Sequence, residues 1–191
     1  MRIAASCLVL ALTLVPHLPA LAQSGPLQQA QELLQKGDLG GAAKQVDAYL
    51  AEHPKDARGR FLRGLILSGE QRSDEAIKVF TELTYDFPEL PEPYNNLGVL
   101  YAARGQYDKA REALERAIQA RPDFATAHEN LGDIYAQLAA QSYTQALKLE
   151  SNNPTAQKKL ALVKQLVSSA PPTGPALSGA PVSSTTPSAS R

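Results

Sequence analysis

Cysteine is almost absent from this sequence, and its scarcity excludes several kinds of chemistry. The 191 residues contain one cysteine, Cys7, which lies in an apolar stretch near the N-terminus. If residues 1–22 are removed, the remaining chain can form no disulfide, bind no metal through a thiolate and use no cysteine nucleophile. A lipoprotein signal would place its cysteine after the apolar run, at the cleavage point, so lipidation of Cys7 is not expected.

An excess of charge of either sign is also missing. Lys and Arg number 19 in total, and Asp and Glu also number 19. Such a balance creates no large field that attracts a polyanion, so nucleic-acid binding is not expected. The hydrophobic content of 43% is that of an ordinary packed domain.

Sequence signatures of catalysis and of cofactor binding are missing as well. His53 and His128 are the only histidines after residue 22, and neither has a second ligand at a metal-binding spacing. The chain has no Gly-rich phosphate loop and no Gly-x-Ser-x-Gly elbow. We therefore expect neither an enzyme nor a bound cofactor or metal.

Residues 1–22 have the features of a secretory signal peptide. Arg2 precedes a short apolar run, and the small residues Ala20 and Ala22 form a cleavage site of the small-x-small type. An uncleaved anchor is the alternative, but the run is shorter than the roughly 20 residues that span a bilayer, and prolines interrupt its extension. We expect cleavage after Ala22, export to the periplasm or the medium, and no membrane span in the mature chain.

Three ladders of residues with a spacing of 34 define the organisation of the chain. They are Pro54, Pro88 and Pro122; Ala42, Ala76 and Ala110; and Ala30, Gly64, Gly98 and Gly132. All three ladders fit one register, with repeats at 23–56, 57–90 and 91–124 and a fourth repeat that begins at residue 125. A period of this length indicates a stack of similar supersecondary units.

The third repeat shows the structure of one unit. Apolar and small residues recur at helical spacing on either side of a turn at Gly105, and a proline ends the second helix. The residues concerned are Tyr94, Leu97, Gly98, Tyr101, Ala110, Leu114, Ala117 and Pro122. This pattern resembles the tetratricopeptide repeat family. The resemblance implies an all-α fold, a right-handed α-solenoid of tetratricopeptide-like helical hairpins with a C-terminal capping helix.

The fourth repeat is shorter than the others by five residues. Its two helical halves match the pattern, but the turn equivalent to residues 105–109 is missing, and no Gly, Pro, Asn or Asp lies between Leu138 and Tyr143. Two structures are compatible with this sequence. Residues 126–150 form either one helix of roughly 37 Å, at 1.5 Å per residue, or a hairpin with a tight turn. We favour the continuous helix because the local sequence supplies no turn chemistry.

Two segments follow this shortened repeat, which covers residues 125–153. Residues 154–168 have an apolar and a polar face, as a solenoid requires of its capping helix. Residues 169–191 are rich in Pro, Ser, Thr and Ala and carry almost no charge, so we expect a disordered tail. The repeat domain therefore extends over 23–168.

The family resemblance also implies a binding surface. In such repeats the second, fifth, ninth and twelfth positions line a concave groove. The candidate groove residues are Arg58, Phe61, Leu65, Glu92, Asn95, Val99, Glu129 and Asp133. They predict a groove that is apolar at repeat 2 and acidic at repeat 4, with Asn95 able to hold a peptide backbone. Packing of Phe61 and Leu65 between repeats is the alternative.

These features favour a non-catalytic adaptor or scaffold of the cell envelope, which binds a peptide or protein partner of unknown identity in this groove. A structural subunit is the second hypothesis, in which the repeats form a homo-oligomer or stack within an envelope complex. An enzyme or a small-ligand binder is the third and least favoured. The fold alone does not choose among them, because scaffolds of this kind serve many processes.

Overall fold

The computed structural model describes residues 25–169, and it places nearly all of them in α-helices. The helices are α1 (Pro26–Gln35), α2 (Leu39–Glu52), α3 (Ala57–Gly69), α4 (Ser73–Asp86), α5 (Pro91–Ala103), α6 (Tyr107–Ala120), α7 (Ala125–Leu149) and α8 (Pro154–Ser169). No strand occurs within 25–169, and the predicted all-α fold class is confirmed. The predictions of a signal peptide and of a disordered tail fall on residues outside this range.

The helices pack as consecutive neighbours. Each helix contacts the next one along the chain, and the first helices of adjacent hairpins also touch, α1 with α3 and α5 with α7. This nearest-neighbour pattern is that of a helical solenoid. Among the described helices, none is both long enough and apolar enough to cross a membrane.

The ladder of glycines marks the place where the two helices of a hairpin meet. A Cβ atom added to Gly64 would lie 2.6 Å from a ring carbon of Phe80, and one added to Gly98 would lie 2.6 Å from Cγ of Leu114. Real Cβ atoms do not approach other atoms so closely, because interiors are packed to van der Waals contact. Glycine at these two positions therefore sets the spacing between α3 and α4 and between α5 and α6.

A left-handed residue closes the first helix of each regular repeat. Gly37 has a φ of 80° and Gly105 a φ of 69°. Gln71, at the equivalent position of repeat 2, has a φ of 61° although it is not a glycine. Left-handed backbone at this point ends a helix and redirects the chain. The three positions are 34 residues apart, so the turn repeats with the same period as the core residues.

The core divides into two hydrophobic clusters along the stack. The first extends from repeat 1 through repeat 2 into repeat 3 and includes the fully buried Phe80, Ile66 and Leu83. The second joins α6 to α7 through Leu114 and Ile134, which are 1% and 4% exposed, together with several alanines. The first half of α7 is thus held to the solenoid by α6.

The fourth repeat does not form a hairpin. Helix α7 runs without interruption for 25 residues, which confirms the prediction of a continuous helix. An added Cβ on Gly132 would meet no atom within 4 Å, because the second half of the repeat continues away from the first half instead of folding over it. The hydroxyls of Ser142 and Thr144 donate to the carbonyls of Leu138 and Ala140, at 2.9 and 2.7 Å, within the unbroken helix. Helix α8 packs against α7.

Candidate functional site

The predicted groove residues lie on α3, α5 and α7, the first helices of repeats 2, 3 and 4. The structure divides them by exposure rather than presenting them as one open surface. Phe61, Leu65, Glu92, Asn95 and Val99 are buried, Arg58 and Asp133 are half-buried, and Glu129 is exposed. The accessible part of the predicted groove is therefore its acidic end on α7.

The apolar part of the predicted groove lies inside the protein. Phe61 is 4% and Leu65 2% exposed, and both belong to the first of the two hydrophobic clusters. The ring of Phe61 lies 5.6 Å from the ring of Phe80, centroid to centroid, at an angle of 58°. Their contacts are those of core residues packed between helices, which is the alternative that the sequence left open. Arg58 donates a hydrogen bond of 3.2 Å to Oε1 of Gln31 and so connects α3 to α1.

Asn95 is the centre of a polar cluster between α5 and α7. Its Oδ1 accepts a hydrogen bond of 2.9 Å from Nδ2 of Asn130, and the side chain is 1% exposed. The Nδ2 of Asn95 has no hydrogen-bond partner among the described residues. A buried amide group without a partner is unfavourable by about 1–3 kcal/mol. Asn95 therefore keeps an unpaired donor inside the contact between α5 and α7, while its half-buried partner Asn130 lies nearer the surface.

Glu92 does not present a free negative charge. Its carboxylate is 3.0 Å from Nη2 of Arg121, and its side chain is 7% exposed, against 36% for that of Arg121. The backbone carbonyl of Glu92 accepts a hydrogen bond of 2.9 Å from Nδ2 of Asn96. Glu92 is thus neutralised within the protein, so the acidic character of the face is confined to Glu129 and Asp133.

Two of the residues in this region were missed by sequence reasoning. Asn130 lies 34 residues after Asn96, so the repeat spacing itself could have drawn attention to it. Arg121 is the first residue after α6, and no periodic signal connects it with Glu92. Their partners become apparent only once α5, α6 and α7 are packed together.

A small crevice lies next to this polar cluster. It has a volume of ≈ 20 Å³, enough for about one water molecule. Its lining residues come from α5, α6 and α7 and are Gly98, Val99, Ala102, Leu114, Asn130, Asp133 and Ile134. Backbone groups or small side chains of a bound polypeptide fit such a surface better than a bulky ring does.

A second and larger cleft results from the unbroken course of α7. It has a volume of ≈ 610 Å³ and lies between the start of α6 and the second half of α7. The lining residues are Tyr107, Gln137, Ala140, Gln141, Ser142, Thr144, Gln145 and Lys148. The cleft is open, and polar and apolar atoms line it in about equal share. The groove positions of the repeats did not predict it.

The titratable side chains of the described residues form ion pairs, hydrogen bonds and ring contacts. No group of three or more His, Cys, Asp or Glu side chains within 25–169 is arranged to hold a metal ion. Nε2 of His128 lies 2.9 Å from the carbonyl oxygen of Pro122, and the ring of His53 lies 4.6 Å from that of Tyr49. Hydrogen bonds from Arg72 lower the pKa of Glu75, in the exposed first turn of α4, below its ordinary value of 4.5.

Comparison with known proteins identifies the repeats along most of the described chain. The family model described as "Tetratricopeptide repeat" matches residues 27–91, and the one described as "TPR repeat" matches residues 100–138. Together these matches cover more than half of the 191 residues.

One curated relative and two solved structures show how far the similarity extends. The tetratricopeptide repeat domain-containing protein PYG7, chloroplastic, of Arabidopsis thaliana is 25% identical over 152 residues, which are 75% of this chain and 50% of that protein. The chain thus spans about half the length of this relative. A structure of Pseudomonas aeruginosa pilF has a TM-score of 0.56 at 20% identity and covers 74% of this chain and 67% of its own. A crystal structure of MamA has a TM-score of 0.53 at 20% identity, and the match covers 73% of this chain and 86% of the MamA chain. These structural likenesses concern the fold.

Proposed function

The chain belongs to the tetratricopeptide repeat family, and from that premise we propose that it is a non-catalytic module that binds a polypeptide on the face formed by α5 and α7. Repeats of this family generally mediate protein–protein interactions, because stacked first helices form an extended concave surface. The observation that carries the proposal is the polar cluster of Asn95 and Asn130. It places the half-buried amide of Asn130 in the lining of the crevice, beside Asp133.

The proposed partner is an extended segment with basic side chains. Nδ2 of Asn130 donates one N–H to Asn95 and has a second N–H. A backbone carbonyl of the segment would accept from this second N–H, which requires no particular sequence. Glu129 and Asp133 are four residues apart on α7, so both carboxylates lie on one side of the helix. A Lys or Arg of the segment would pair with them, and this complementarity would set orientation and association rate more than affinity.

Selection from a random peptide library displayed on phage tests this proposal. We expect the selected peptides to be enriched in Lys and Arg. Reversing both charges, with Glu129→Lys and Asp133→Lys, introduces like-charge repulsion against these peptides. It should therefore weaken their binding about tenfold or more, as measured by calorimetry. The matched control is Glu112→Lys with Glu89→Lys, which changes the net charge equally at exposed positions on other parts of the surface. Equal binding by the two double variants, with unchanged circular dichroism, would exclude the acidic end of the face.

The cellular location is part of the proposal. An adaptor of the cell envelope is supported by the signal-peptide features of residues 1–22. Fractionation of cells that express the full chain, followed by N-terminal sequencing, tests it. We expect a mature N-terminus at Gln23 in a fraction outside the cytosol. An intact N-terminus in the cytosolic fraction would contradict export.

A further inference from the structure

The C-terminal end of the solenoid exposes an unusual amount of apolar surface. The large hydrophobic residues exposed within 25–169 are Tyr85, Tyr135, Leu149, Leu162 and Leu166, and four of these five belong to α7 or α8. Leu149 is 81% and Tyr135 50% exposed. Single exposed apolar residues are normal, but their concentration at one end indicates a surface that another element covers.

The first half of α7 lacks the helix that covers its equivalents. In repeats 2 and 3 the second helix lies so close that an added Cβ on Gly64 or Gly98 would meet a side chain at 2.6 Å. The same atom on Gly132 would meet nothing within 4 Å. The place that α4 and α6 occupy in their own hairpins is therefore vacant on α7.

The chain itself carries a helix of the right pattern for this vacant place. In the second half of α7, Ala139, Tyr143 and Ala146 have the spacing that Ala110, Leu114 and Ala117 have in α6. The five missing turn residues prevent this half from folding back onto the first half of the same helix. The repeat pattern places the second half of α7 over Gly132. This half-helix can therefore reach Gly132 only from another molecule.

We propose that two copies of this chain exchange the second half of α7 together with α8, so that residues 139–169 of each copy cover the face around Gly132 of the other. Shortening of a hinge loop is a known route to such swapped dimers. Helix α8 moves with the second half of α7, because the two pack together and Lys159 lies 5.7 Å from the ring of Tyr143. The exchange restores to repeat 4 the hairpin that its own sequence cannot form.

The geometry of the exchange is symmetric. In repeat 3, Gly98 faces Leu114 and the carbonyl of Ala110. Transferred to repeat 4, this pairing sets Gly132 of one copy against residues 139–143 of the other, and its midpoint lies between Ala136 and Gln137. Helix α7 extends from residue 125 to residue 149, so this midpoint coincides with the middle of the helix. Two α7 helices would therefore lie antiparallel along their full length in a closed two-fold dimer.

One face of α7 suits this contact. At about 100° per residue, six small or apolar residues fall within an arc of roughly 120°. They are Gly132, Tyr135, Ala139, Tyr143, Ala146 and Leu149. None of the six is charged, while Glu129, Asp133 and Lys148 lie outside the arc. The two α7 helices therefore bring no charged side chain of their own into the contact, where an unpaired charge would be costly.

Sedimentation velocity of the full chain over a range of concentrations tests the exchange. We expect the mass of a dimer for the natural chain. Insertion of a second copy of residues 105–109 between Leu138 and Ala139 supplies the missing turn, so we expect a twofold fall to the mass of one chain, with the helical circular dichroism retained. The same five residues inserted after Gly179 are the control and should leave the dimer intact. A natural chain that is monomeric, or a dimer that persists after the turn is supplied, would overturn the proposal.

Crosslinking locates the contact independently of that insertion. Replacing Cys7 by Ser leaves the full chain without a thiol, so Ala136→Cys or Gln141→Cys then introduces a single one. A short bismaleimide should join two Ala136→Cys chains, because this position lies beside the two-fold axis. Gln141→Cys, on the opposite side of α7, should yield mostly unlinked chains. Equal crosslinking of the two variants would exclude an antiparallel pair of α7 helices.

Discussion

Replacing Gln71 by glycine should stabilise the protein, and the size of the gain follows from its backbone angle. Gln71 has a φ of 61°, in the left-handed region. For an L-residue this conformation costs about 1–2 kcal/mol, which glycine does not incur. Glycine also makes the unfolded chain more flexible, which offsets roughly 0.4–1 kcal/mol of that gain. We expect a net increase of about 0.5–1 kcal/mol in the free energy of unfolding.

The equivalent glycine of repeat 3 provides the reverse experiment. Gly105 has a φ of 69°, and an added Cβ would meet no atom within 4 Å. Gly105→Ala therefore introduces the left-handed penalty without any steric contact, and we expect it to destabilise the protein by about 0.5–1 kcal/mol. The two changes test one cause in opposite directions at positions 34 residues apart.

Urea denaturation followed by circular dichroism measures both effects. The midpoint should rise for Gln71→Gly and fall for Gly105→Ala, with the same dependence on urea in both cases, since neither change alters the surface exposed on unfolding. A destabilised Gln71→Gly would refute the reasoning, because it would show that contacts of the glutamine side chain outweigh the backbone strain.

Two further predictions concern packing and charge. Gly98→Ala should destabilise the protein by about 1–3 kcal/mol, because the new methyl group would be forced against Leu114 and a backbone carbonyl. Urea denaturation should show a lower midpoint. An unchanged midpoint would mean that the two helices of the hairpin can move apart without cost. Arg121→Met should cost about 2 kcal/mol because it leaves the carboxylate of Glu92 buried without its partner. Glu92→Gln should cost less in the same assay, and equal costs would argue against an unpaired charge as the cause.

The period of the sequence predicted the fold well because the repeat places the same side chains at each helix contact. The glycine ladder and the prolines predicted where helices meet and end, and the absence of turn residues predicted the continuous α7. These features depend on local spacing and on the backbone chemistry of single residues. They can be read without knowing how distant helices pack.

The exposure of the candidate site could not be predicted in the same way. The repeat positions of Phe61 and Leu65 say which side of α3 they lie on, but the sizes of side chains on neighbouring helices decide whether that side is open. Phe80 reaches the ring of Phe61 from α4. The pairing of Glu92 with Arg121 likewise depends on the end of α6 approaching α5. This second contact has no periodic signal in the sequence.

Repeat 4 shows that length, more than turn chemistry, decides whether a repeat closes. Repeat 2 lacks glycine at its turn, yet Gln71 adopts the left-handed conformation and the hairpin of α3 and α4 forms. The missing glycine alone therefore does not abolish a turn. In repeat 4 the five residues that would include the turn and the start of the second helix are gone, so Ala139 directly follows the first helix. Its backbone stays helical because a reversal there would leave no residues to connect the two helices. Restoring those five residues, even with Gln in place of the glycine, should therefore restore the hairpin.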